Sequence, residues 1–296
     1  MTKPRTSDPS YDPSSSRQSH DQRWQGGPVG DCLHCVVAPN PGPLTLDGTN
    51  TWVLHRKGSS EALVVDPGPD DESHLEHVLD VVRKRGAKVT QALVTHRHDD
   101  HTGGARRFAE RTGCPVRAYD PDYCVGDARP LEDREVLTVD GLELRVLATP
   151  GHTTDSVSFL LSTSAGEPRT ALFTGDTVLG RGTAVVAHPD GALAPYLDSL
   201  ERLRDLVSAE GVQLILPGHG PVRDDPLAVL DGYLSHRAER LVQVHRAFAA
   251  GARTPREIVE RVYADIDPVL WPAAEQSVRA QLDYLAEAHT RDRRTT

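Results

Sequence analysis

The chain has 296 residues and a formal net charge of −10 at neutral pH, enough length for one large domain with a smaller attachment. The acidic balance argues against indiscriminate binding to nucleic acid or anionic membranes, because the long-range field repels both. No stretch approaches the roughly 20 apolar residues of a membrane span, and no apolar signal segment begins the chain, so we expect a soluble, cytoplasmic protein.

The first 29 residues predict a disordered tail, because they are rich in Ser, Pro, Asp, Gln and Arg and nearly free of aliphatic side chains. Three acidic residues, Asp8, Asp12 and Asp21, disfavour a mitochondrial transit segment. Just after the tail, Cys32 and Cys35 form a Cys-x-x-Cys pair, which suits a redox centre or half of a zinc site. Because no second pair completes a zinc site, we favour thiols on a strand in a reducing compartment.

Short runs of β-forming residues dominate the chain from there to about residue 222. The runs are 33–37, 51–54, 62–65, 92–94, 116–118, 142–147, 156–161, 171–173 and 212–216. Asp47-Gly48 lies between two of them and predicts a hairpin. Helical spacing of apolar residues interrupts the runs at 75–82 and 197–207. Bunched strands with single helices predict an α/β protein in which two sheets pack face to face with helices outside, an αβ/βα sandwich of four layers.

After Pro226 the sequence becomes mostly helical, with helices predicted over 227–249, from Thr254 through TPREIVERVY, and over 273–288. Pro255 suits the first position of the middle helix. We therefore divide the chain into a disordered tail (1–29), a main domain (30–224) and a small helical C-terminal subdomain (225–296).

The stretch VTHRHDDHTGG, residues 94–104, crowds His96, His98 and His101 together with two aspartates directly after an apolar run. We expect a loop at the end of a strand, because a helix would spread residues 96, 98 and 100 around its circumference. The next helix is expected to begin at Thr102-Gly103-Gly104. Such a loop points several side chains into one cleft, so the spacing indicates a metal site.

Three later fragments repeat the pattern of an apolar run that ends at a histidine or aspartate beside glycine. They are LRVLATPGHTTDS with His152, TALFTGDTVLG with Asp176 and QLILPGHGPV with His219. Glycine beside each ligand type allows a sharp turn and a close backbone approach. Imidazoles with carboxylates suit borderline-soft divalent ions, zinc first, and five histidines with two aspartates exceed the needs of one tetrahedral ion. We therefore predict two divalent metal ions, with zinc preferred.

The H-x-H-x-D-H motif and the three later fragments together resemble the metallo-β-lactamase superfamily over roughly residues 30–222. The resemblance implies one metal held by His96, His98 and His152, a second held by Asp100, His101 and His219, and Asp176 as a bridge between them. It also implies that Asp66, in the strand-end segment LVVDPG, orients the ligands. A simple turn before Pro67 is the alternative for Asp66.

Such a site implies hydrolysis by a hydroxide held between two ions, which lower the pKa of bound water and polarise the bond under attack. Asp100 could also orient the hydroxide and accept its proton, so Asp100 and Asp176 are the expected catalytic carboxylates. Iron-containing redox relatives have a glutamate at position 98, so His98 favours zinc and hydrolysis. β-Lactamases of the superfamily usually have cysteine at position 176, and glyoxalase II enzymes continue the late motif as Gly-His-Glu-Tyr, which disfavours both activities here.

A further resemblance joins APNPGPLTLDGTNTWVL, LPGHGPV, YLSHRAER and TPREIVERVY, and spans roughly residues 35–288. These segments are similar to the β-lactamase-like protein 2 group and its bacterial relatives. The resemblance implies endonucleolytic cleavage of single-stranded RNA and a winged-helix-like C-terminal unit. However, the chain ends soon after His289, which leaves little room for the strand pair of a wing, and its C-terminal part lacks interleaved basic and aromatic residues.

Two functions are therefore expected. The first is phosphodiester cleavage in single-stranded RNA, with Arg97, Arg181 and Arg237 as candidate phosphate contacts and an ordinary salt bridge as the alternative for each. The second is hydrolysis of a thioester or other activated acyl group, with the C-terminal helices lining an apolar pocket. A binding protein without activity would need missing ligands, and all seven are present. The substrate is the one expected partner, because no membrane or protein partner is indicated.

Overall fold

The structure is a computed structural model that describes residues 23–163 and 170–295, and two β-sheets face one another in it. The N-terminal sheet contains, in spatial order, β1 Gly27–Val29, β2 Leu33–Val37, β3 Asn50–Leu54, β4 Glu61–Val65, β5 Lys88–Leu93 and β6 Val116–Arg117. The C-terminal sheet contains, in spatial order, β11 Leu214–Pro217, β10 Ala171–Gly175, β9 Val157–Thr163, β8 Leu142–Ala148 and β7 Val136–Val139.

Both sheets are mixed. Strands β1 to β4 pair antiparallel and β4 to β6 parallel, while β7 to β10 pair antiparallel and β10 pairs with β11 in parallel. Parallel neighbours need a crossover, usually a helix. The crossovers are α1 Glu72–Arg83 between β4 and β5, α2 Asp99–Thr102 with α3 Ala105–Thr112 between β5 and β6, and α4 Leu193–Glu210 between β10 and β11. Parallel strands place the turns that follow them at one edge of the sheet.

Three hydrophobic clusters separate the layers. Between the sheets, the rings of Trp52 and Phe173 meet edge to face with centroids 6.0 Å apart. On the outer face of the N-terminal sheet, Leu75 of α1 and Phe108 of α3 are fully buried. On the outer face of the C-terminal sheet, Tyr196 of α4 is fully buried. The layers are therefore helices, sheet, sheet and helices, and the predicted α/β sandwich is confirmed.

Helix termini follow the sequence signals. The Asp71 carboxylate caps α1 by accepting from the backbone N–H of His74 at 2.8 Å. Three helices end the chain, α5 Pro226–Ala249, α6 Pro255–Val262 and α7 Trp271–Thr295. Helix α6 begins with Pro255 after the predicted cap, and the Thr254 hydroxyl accepts from the N–H of Glu257 at 3.2 Å.

Two short strands, β1 and β7, are not predicted from the sequence. Strand β1 lies inside the predicted tail, because pairing with β2 uses backbone groups and needs no aliphatic side chain. Ahead of it, the Trp24 indole donates to Asn50 Oδ1 at 3.0 Å. The predicted tail therefore differs from the structure over residues 23–29, while residues 1–22 lie outside the described residues. Strand β7 is a four-residue edge strand, too short for a distinct alternating pattern.

The connection from β2 to β3 is longer than the tight hairpin that Asp47-Gly48 predicts, because residues 38–49 separate these antiparallel strands. Gly48, near the end of the connection, has a φ of 137° and packs against Ala38 at its start. A Cβ at position 48 would lie 2.1 Å from the Ala38 carbonyl oxygen. The glycine thus closes a larger loop rather than a two-residue turn.

The change of composition near residue 224 coincides with the start of α5 but not with a break in packing. Val229, Leu230 and Tyr233 of α5 belong to the same hydrophobic cluster as α4. A separate cluster joins α6 to α7, with Ile258 and Val278 both fully buried. Among the described residues after 225 there is no strand pair that could form a wing. Nor does any described helix combine the length and apolarity needed to cross a bilayer.

Candidate metal centre

All seven predicted metal ligands lie at one edge of the sandwich. In chain order they are His96 and His98 after β5, Asp100 and His101 on α2, His152 after β8, Asp176 after β10, and His219 after β11. Strands β8, β10 and β11 run in the same direction, so the turns that follow them meet. The side chains form three clusters with ligand atoms within 4.8 Å of one another. The residues are therefore brought together as the sequence predicts.

The structure differs from the predicted loop at the second half of the motif. Helix α2 begins at Asp99 with His98 as its N-cap, so Asp100 and His101 lie on a single helical turn. Two aspartates at the start of this turn favour the helix, because they face the positive end of its dipole. Asp99, the first residue of this turn, is exposed.

Three histidines form the first half of the centre. The Nε2 atoms of His96 and His152 each lie 3.1 Å from Nδ1 of His98. His96 and His98 come from the N-terminal sheet and His152 from the C-terminal sheet, so both sheets contribute to this half.

Asp100, His101 and His219 form the second half. Oδ2 of Asp100 lies 3.3 Å from Nε2 of His101 and 3.2 Å from Nε2 of His219. Asp176 lies between the halves, since Oδ1 is 3.5 Å from Nε2 of His101 and Oδ2 is 3.8 Å from Nε2 of His152. One carboxylate thus reaches ligand atoms of both halves.

The hydrogen bonds on the outer side of four imidazoles fix which nitrogen faces the centre. Nδ1 of His152 lies 2.7 Å from the Val185 carbonyl oxygen, and Nδ1 of His219 lies 3.3 Å from the Gly48 carbonyl oxygen. A carbonyl only accepts, so these Nδ1 atoms carry the proton and Nε2 presents a lone pair inward.

The other two imidazoles follow the same rule through Asp66. The Thr95 hydroxyl donates to Asp66 Oδ2 at 2.8 Å and therefore accepts from Nδ1 of His96, 3.1 Å away. Nδ1 of His101 donates to Asp66 Oδ2 at 2.9 Å. Asp66 thus contacts His101 directly and His96 through Thr95, which a simple strand-end turn would not require. Inward lone pairs and carboxylates are the donor set that zinc and similar ions take.

A further observation fits a pair of cations. Oδ1 of Asp176 is buried and has no hydrogen-bond partner among the described residues. A buried carboxylate oxygen without a donor is costly in free energy. Its position between two groups of inward-facing lone pairs suits a positively charged species, so the residues present fit two divalent metal ions.

The electrostatics differ between the halves. Burial lowers the pKa of His152 to about 4, and burial together with the neighbouring imidazoles holds the pKa of His96 well below its usual range. Both side chains are therefore neutral near pH 7 without any metal. His96 and His152 can therefore bind a cation without losing a proton.

In the second half, neighbouring carboxylates raise the pKa values of the histidines instead of leaving them lowered. Burial opposes the charged form of His101, but Asp100, Asp66 and Asp176 outweigh it and raise the pKa of this imidazole to about 9. Burial also opposes the charged form of His219, and Asp176 and Asp100 raise its pKa well above the usual range. Without metal, these two histidines hold protons where a cation would bind.

A hydrogen-bond chain from the loop between β2 and β3 holds Asp100. The Asn40 amide donates to the Thr49 hydroxyl at 2.9 Å and accepts from the Thr49 N–H at 2.9 Å. The hydroxyl is left to donate to Asp100 Oδ2, also at 2.9 Å. Thr49 and Asn40 are not predicted as site residues, because their sequence context shows only a turn.

Arg97 joins several loops around the first half. Its guanidinium donates to Asp155 Oδ1 at 3.0 Å and to the Thr154 hydroxyl at 2.9 Å, and it lies within 3.4 Å of Asp120 and Asp190. Three carboxylates therefore surround this cation, which supports the salt-bridge alternative rather than a phosphate contact.

The other two candidate phosphate contacts also have protein partners. Arg181 pairs with Asp47 at 2.5 Å, on the loop beside the centre. Arg237 is 4% exposed, donates to the Ala184 carbonyl and stacks over the Tyr196 ring at 4.8 Å. Each of the three guanidiniums therefore already has a protein partner.

Cys35 and His74 lie outside the centre. Cys35 is buried on β2, where burial raises the pKa of its thiol, and no disulfide joins the described cysteines. His74 is buried against the Thr51 hydroxyl at 2.8 Å, and burial lowers its pKa to about 4. These are packing roles.

Comparison with known proteins defines the class. Residues 44–219 match the metallo-beta-lactamase superfamily, and residues 254–288 match the beta-lactamase associated winged helix domain. The chain belongs to the metallo-β-lactamase superfamily and is a hydrolase of that fold, as its motifs predict. Its C-terminal match covers α6 and most of α7, where the described residues are helical.

Within the superfamily, the chain is similar to proteins named beta-lactamase-like protein 2 homolog. The one from Drosophila melanogaster is 34% identical over 271 residues, which cover 84% of this chain and 86% of that protein. The one from Caenorhabditis elegans is 30% identical over 266 residues, 88% and 85% of the two chains. An atrochrysone carboxyl ACP thioesterase from Aspergillus chevalieri is 33% identical over 243 residues, 78% and 73% of the two chains.

A solved structure of similar fold is that of a metallo-beta-lactamase family protein from Thermus thermophilus. Its TM-score is 0.71 at 23% sequence identity, and the match covers 87% of this chain and 94% of that chain. At this identity the likeness concerns the fold.

Proposed function

We propose that the protein is a dinuclear metal-dependent hydrolase, with zinc as the preferred metal. The observation that carries the proposal is the convergence of seven side chains, four of them imidazoles whose outer hydrogen bonds turn Nε2 inward. His96, His98 and His152 would hold one ion, Asp100, His101 and His219 the other, and Asp176 would bridge them. When bound, such ions lower the pKa of water and polarise the bond to be cut.

The protein side chains have defined tasks in this scheme. Asp100 is 25% exposed in its side chain, so it can meet substrate or water while the Thr49 hydroxyl fixes one of its oxygens. It is therefore the candidate for orienting the attacking water and accepting its proton. Asp176 is more deeply buried and holds the two halves at a fixed spacing.

An acyl substrate, such as a thioester, is favoured by the charge around the centre. Phosphodiester recognition relies on cations that contact phosphate oxygens. The three arginines predicted for this task are paired with carboxylates or buried against a carbonyl. The similarity to an ACP thioesterase over 78% of the chain also supports an acyl substrate.

Cleavage of single-stranded RNA is the second candidate. It is supported by the similarity to the beta-lactamase-like protein 2 homologs, which extends through the C-terminal helices as well as the metal-binding domain. Binding of RNA would fall steeply with added salt, since phosphate contacts release counterions.

One experiment tests the metal chemistry and the substrate together. Metal-free protein is reloaded with zinc and assayed against acyl thioesters and single-stranded RNA, each at several salt concentrations. We expect turnover only after reloading and its loss in Asp176→Ala. Asp99→Asn is the matched control, since Asp99 is an exposed carboxylate of the same motif. Full turnover by metal-free protein or by Asp176→Ala would contradict the proposal. The substrate that is turned over faster decides between thioester hydrolysis and phosphodiester cleavage.

A further inference from the structure

Residues 184–187 lie between the metal centre and the C-terminal helices, and we call them the bridging segment. Its odd-numbered residues contact His152. The Val185 carbonyl accepts from Nδ1 of His152 at 2.7 Å, and the Ala187 N–H donates to the His152 carbonyl at 3.1 Å. The segment therefore forms hydrogen bonds with both the ring and the backbone of His152.

The even-numbered residues of the bridging segment contact the C-terminal helices. The Ala184 carbonyl accepts from the guanidinium of Arg237 on α5, and the Val186 N–H donates to the Ser277 hydroxyl on α7 at 3.2 Å. Alternation of this kind follows from extended backbone, in which successive residues face opposite sides. Two helices thus hold the residues on either side of the carbonyl that orients His152.

Arg237 is costly in this position. It is 4% exposed, no carboxylate in the described part of the chain pairs with it, and its Nε has no hydrogen-bond partner there. Replacing a buried charge by an apolar side chain of similar volume is often neutral or stabilising. Stability alone would therefore favour methionine or leucine here, whereas a cation also supplies the charge-assisted hydrogen bond to Ala184 and the stacking over the Tyr196 ring.

We propose that Arg237 and Ser277 are positioning residues that hold His152 in its metal-binding orientation through the bridging segment. The inference rests on the proposed metal centre. It assigns the Arg-containing motif YLSHRAER and the C-terminal helices a task at that centre, without contact to substrate. The chain of contacts runs from α5 and α7 to Ala184 and Val186, then from Val185 to the imidazole.

Arg240 offers a matched control on the same helix. It stacks over the Tyr263 ring at 4.6 Å and donates to the Val262 carbonyl at 2.6 Å, so it resembles Arg237 in its interactions. Its partners belong to α5 itself and to the α6 region rather than to the bridging segment. Loss of either arginine removes a similar set of contacts, but only one of the two sets leads to His152.

The test compares Arg237→Met, Arg237→Lys, Ser277→Ala and Arg240→Met. Two quantities are measured: zinc affinity of the three-histidine half by chelator competition, and solvent exchange of the His152 Nδ1 proton by NMR in metal-free protein. In Arg237→Met we expect zinc affinity to fall about 10- to 100-fold, as for other groups that orient metal ligands, with faster proton exchange. Arg237→Lys should recover part of both quantities, and Arg240→Met should change neither.

Wild-type zinc affinity and wild-type proton exchange in Arg237→Met would overturn the inference, as would equal losses in Arg240→Met. If Arg237→Met does not fold, Ser277→Ala decides in the same way, since the hydroxyl is small and its loss leaves the packing intact. If the wild-type protein binds no metal, the proposed function fails, and the exchange of the His152 proton still tests the positioning role.

Discussion

The two halves of the metal centre should respond differently to pH. Metals bind neutral imidazole, so a histidine that holds a proton must release it first. The pKa of His101 is raised to about 9, so a decrease from pH 9 to pH 7 should weaken binding at the second half about 50-fold, or about 2 kcal/mol. His219 acts in the same direction, because its pKa is also raised. His96 and His152 of the first half should be insensitive over this range, since the pKa of His152 is about 4 and that of His96 is held well below its usual range.

Chelator competition on metal-free protein at pH 7, 8 and 9 gives the two affinities separately. Calorimetry in two buffers of different ionisation enthalpy counts the protons released by each ion. We expect no proton from the first ion and at least one from the second. The reasoning would be refuted if both affinities had the same pH dependence, or if binding of the second ion released no proton.

Three further predictions concern residues around the second half. Asp66→Asn should weaken metal binding there about 10- to 100-fold, because an amide has one oxygen, whereas Oδ1 of Asp66 accepts from the Thr95 N–H and Oδ2 accepts from the Thr95 hydroxyl and His101. Thr49→Val removes the hydroxyl that donates to Asp100, so turnover should fall and Thr49→Ser should restore it. Gly218→Ala should abolish binding of the second metal ion and lower the free energy of unfolding by about 1–3 kcal/mol, because the new Cβ would lie 2.5 Å from an Asp176 oxygen.

Each of these variants has its own contrary result. Asp66 has a φ of 54°, which asparagine tolerates, so unchanged affinity for both metal ions in Asp66→Asn would show that the hydrogen bonds of this carboxylate do not hold the ligands. Full turnover in Thr49→Val would show that Asp100 needs no orientation by the hydroxyl. Two tightly bound zinc ions in Gly218→Ala, measured by metal analysis after dialysis, would show that the turn can shift.

The convergence of the candidate ligands could be predicted because the segments that carry them follow β-strands. The run before His96 and the glycines beside His152 and His219 are local signals, and parallel strands then bring the turns together. The sequence pattern places the start of α2 too late, because the two aspartates that favour this helix also resemble metal ligands. Ligand identity is thus a local property of the sequence, while the helical turn that carries two of them depends on capping.

The groups that support the ligands could not be predicted in the same way. The oxygen that orients His152 is the backbone carbonyl of Val185, which has no signature in the sequence. The carboxylates around Arg97 come from three separate parts of the chain, Asp120, Asp155 and Asp190. Their proximity follows from the packing of loops between two sheets and becomes visible only in three dimensions.

The shared core of α4 and α5 has a consequence for how the chain can vary. Tyr233 of α5 accepts a hydrogen bond from the Leu179 N–H at 2.8 Å and packs in one cluster with Tyr196. A polypeptide shortened to residue 224 would leave that apolar surface in contact with water and would tend to self-associate. Evolution of new substrate preferences through the last three helices is therefore restricted to their outward faces, because the inward faces complete the scaffold.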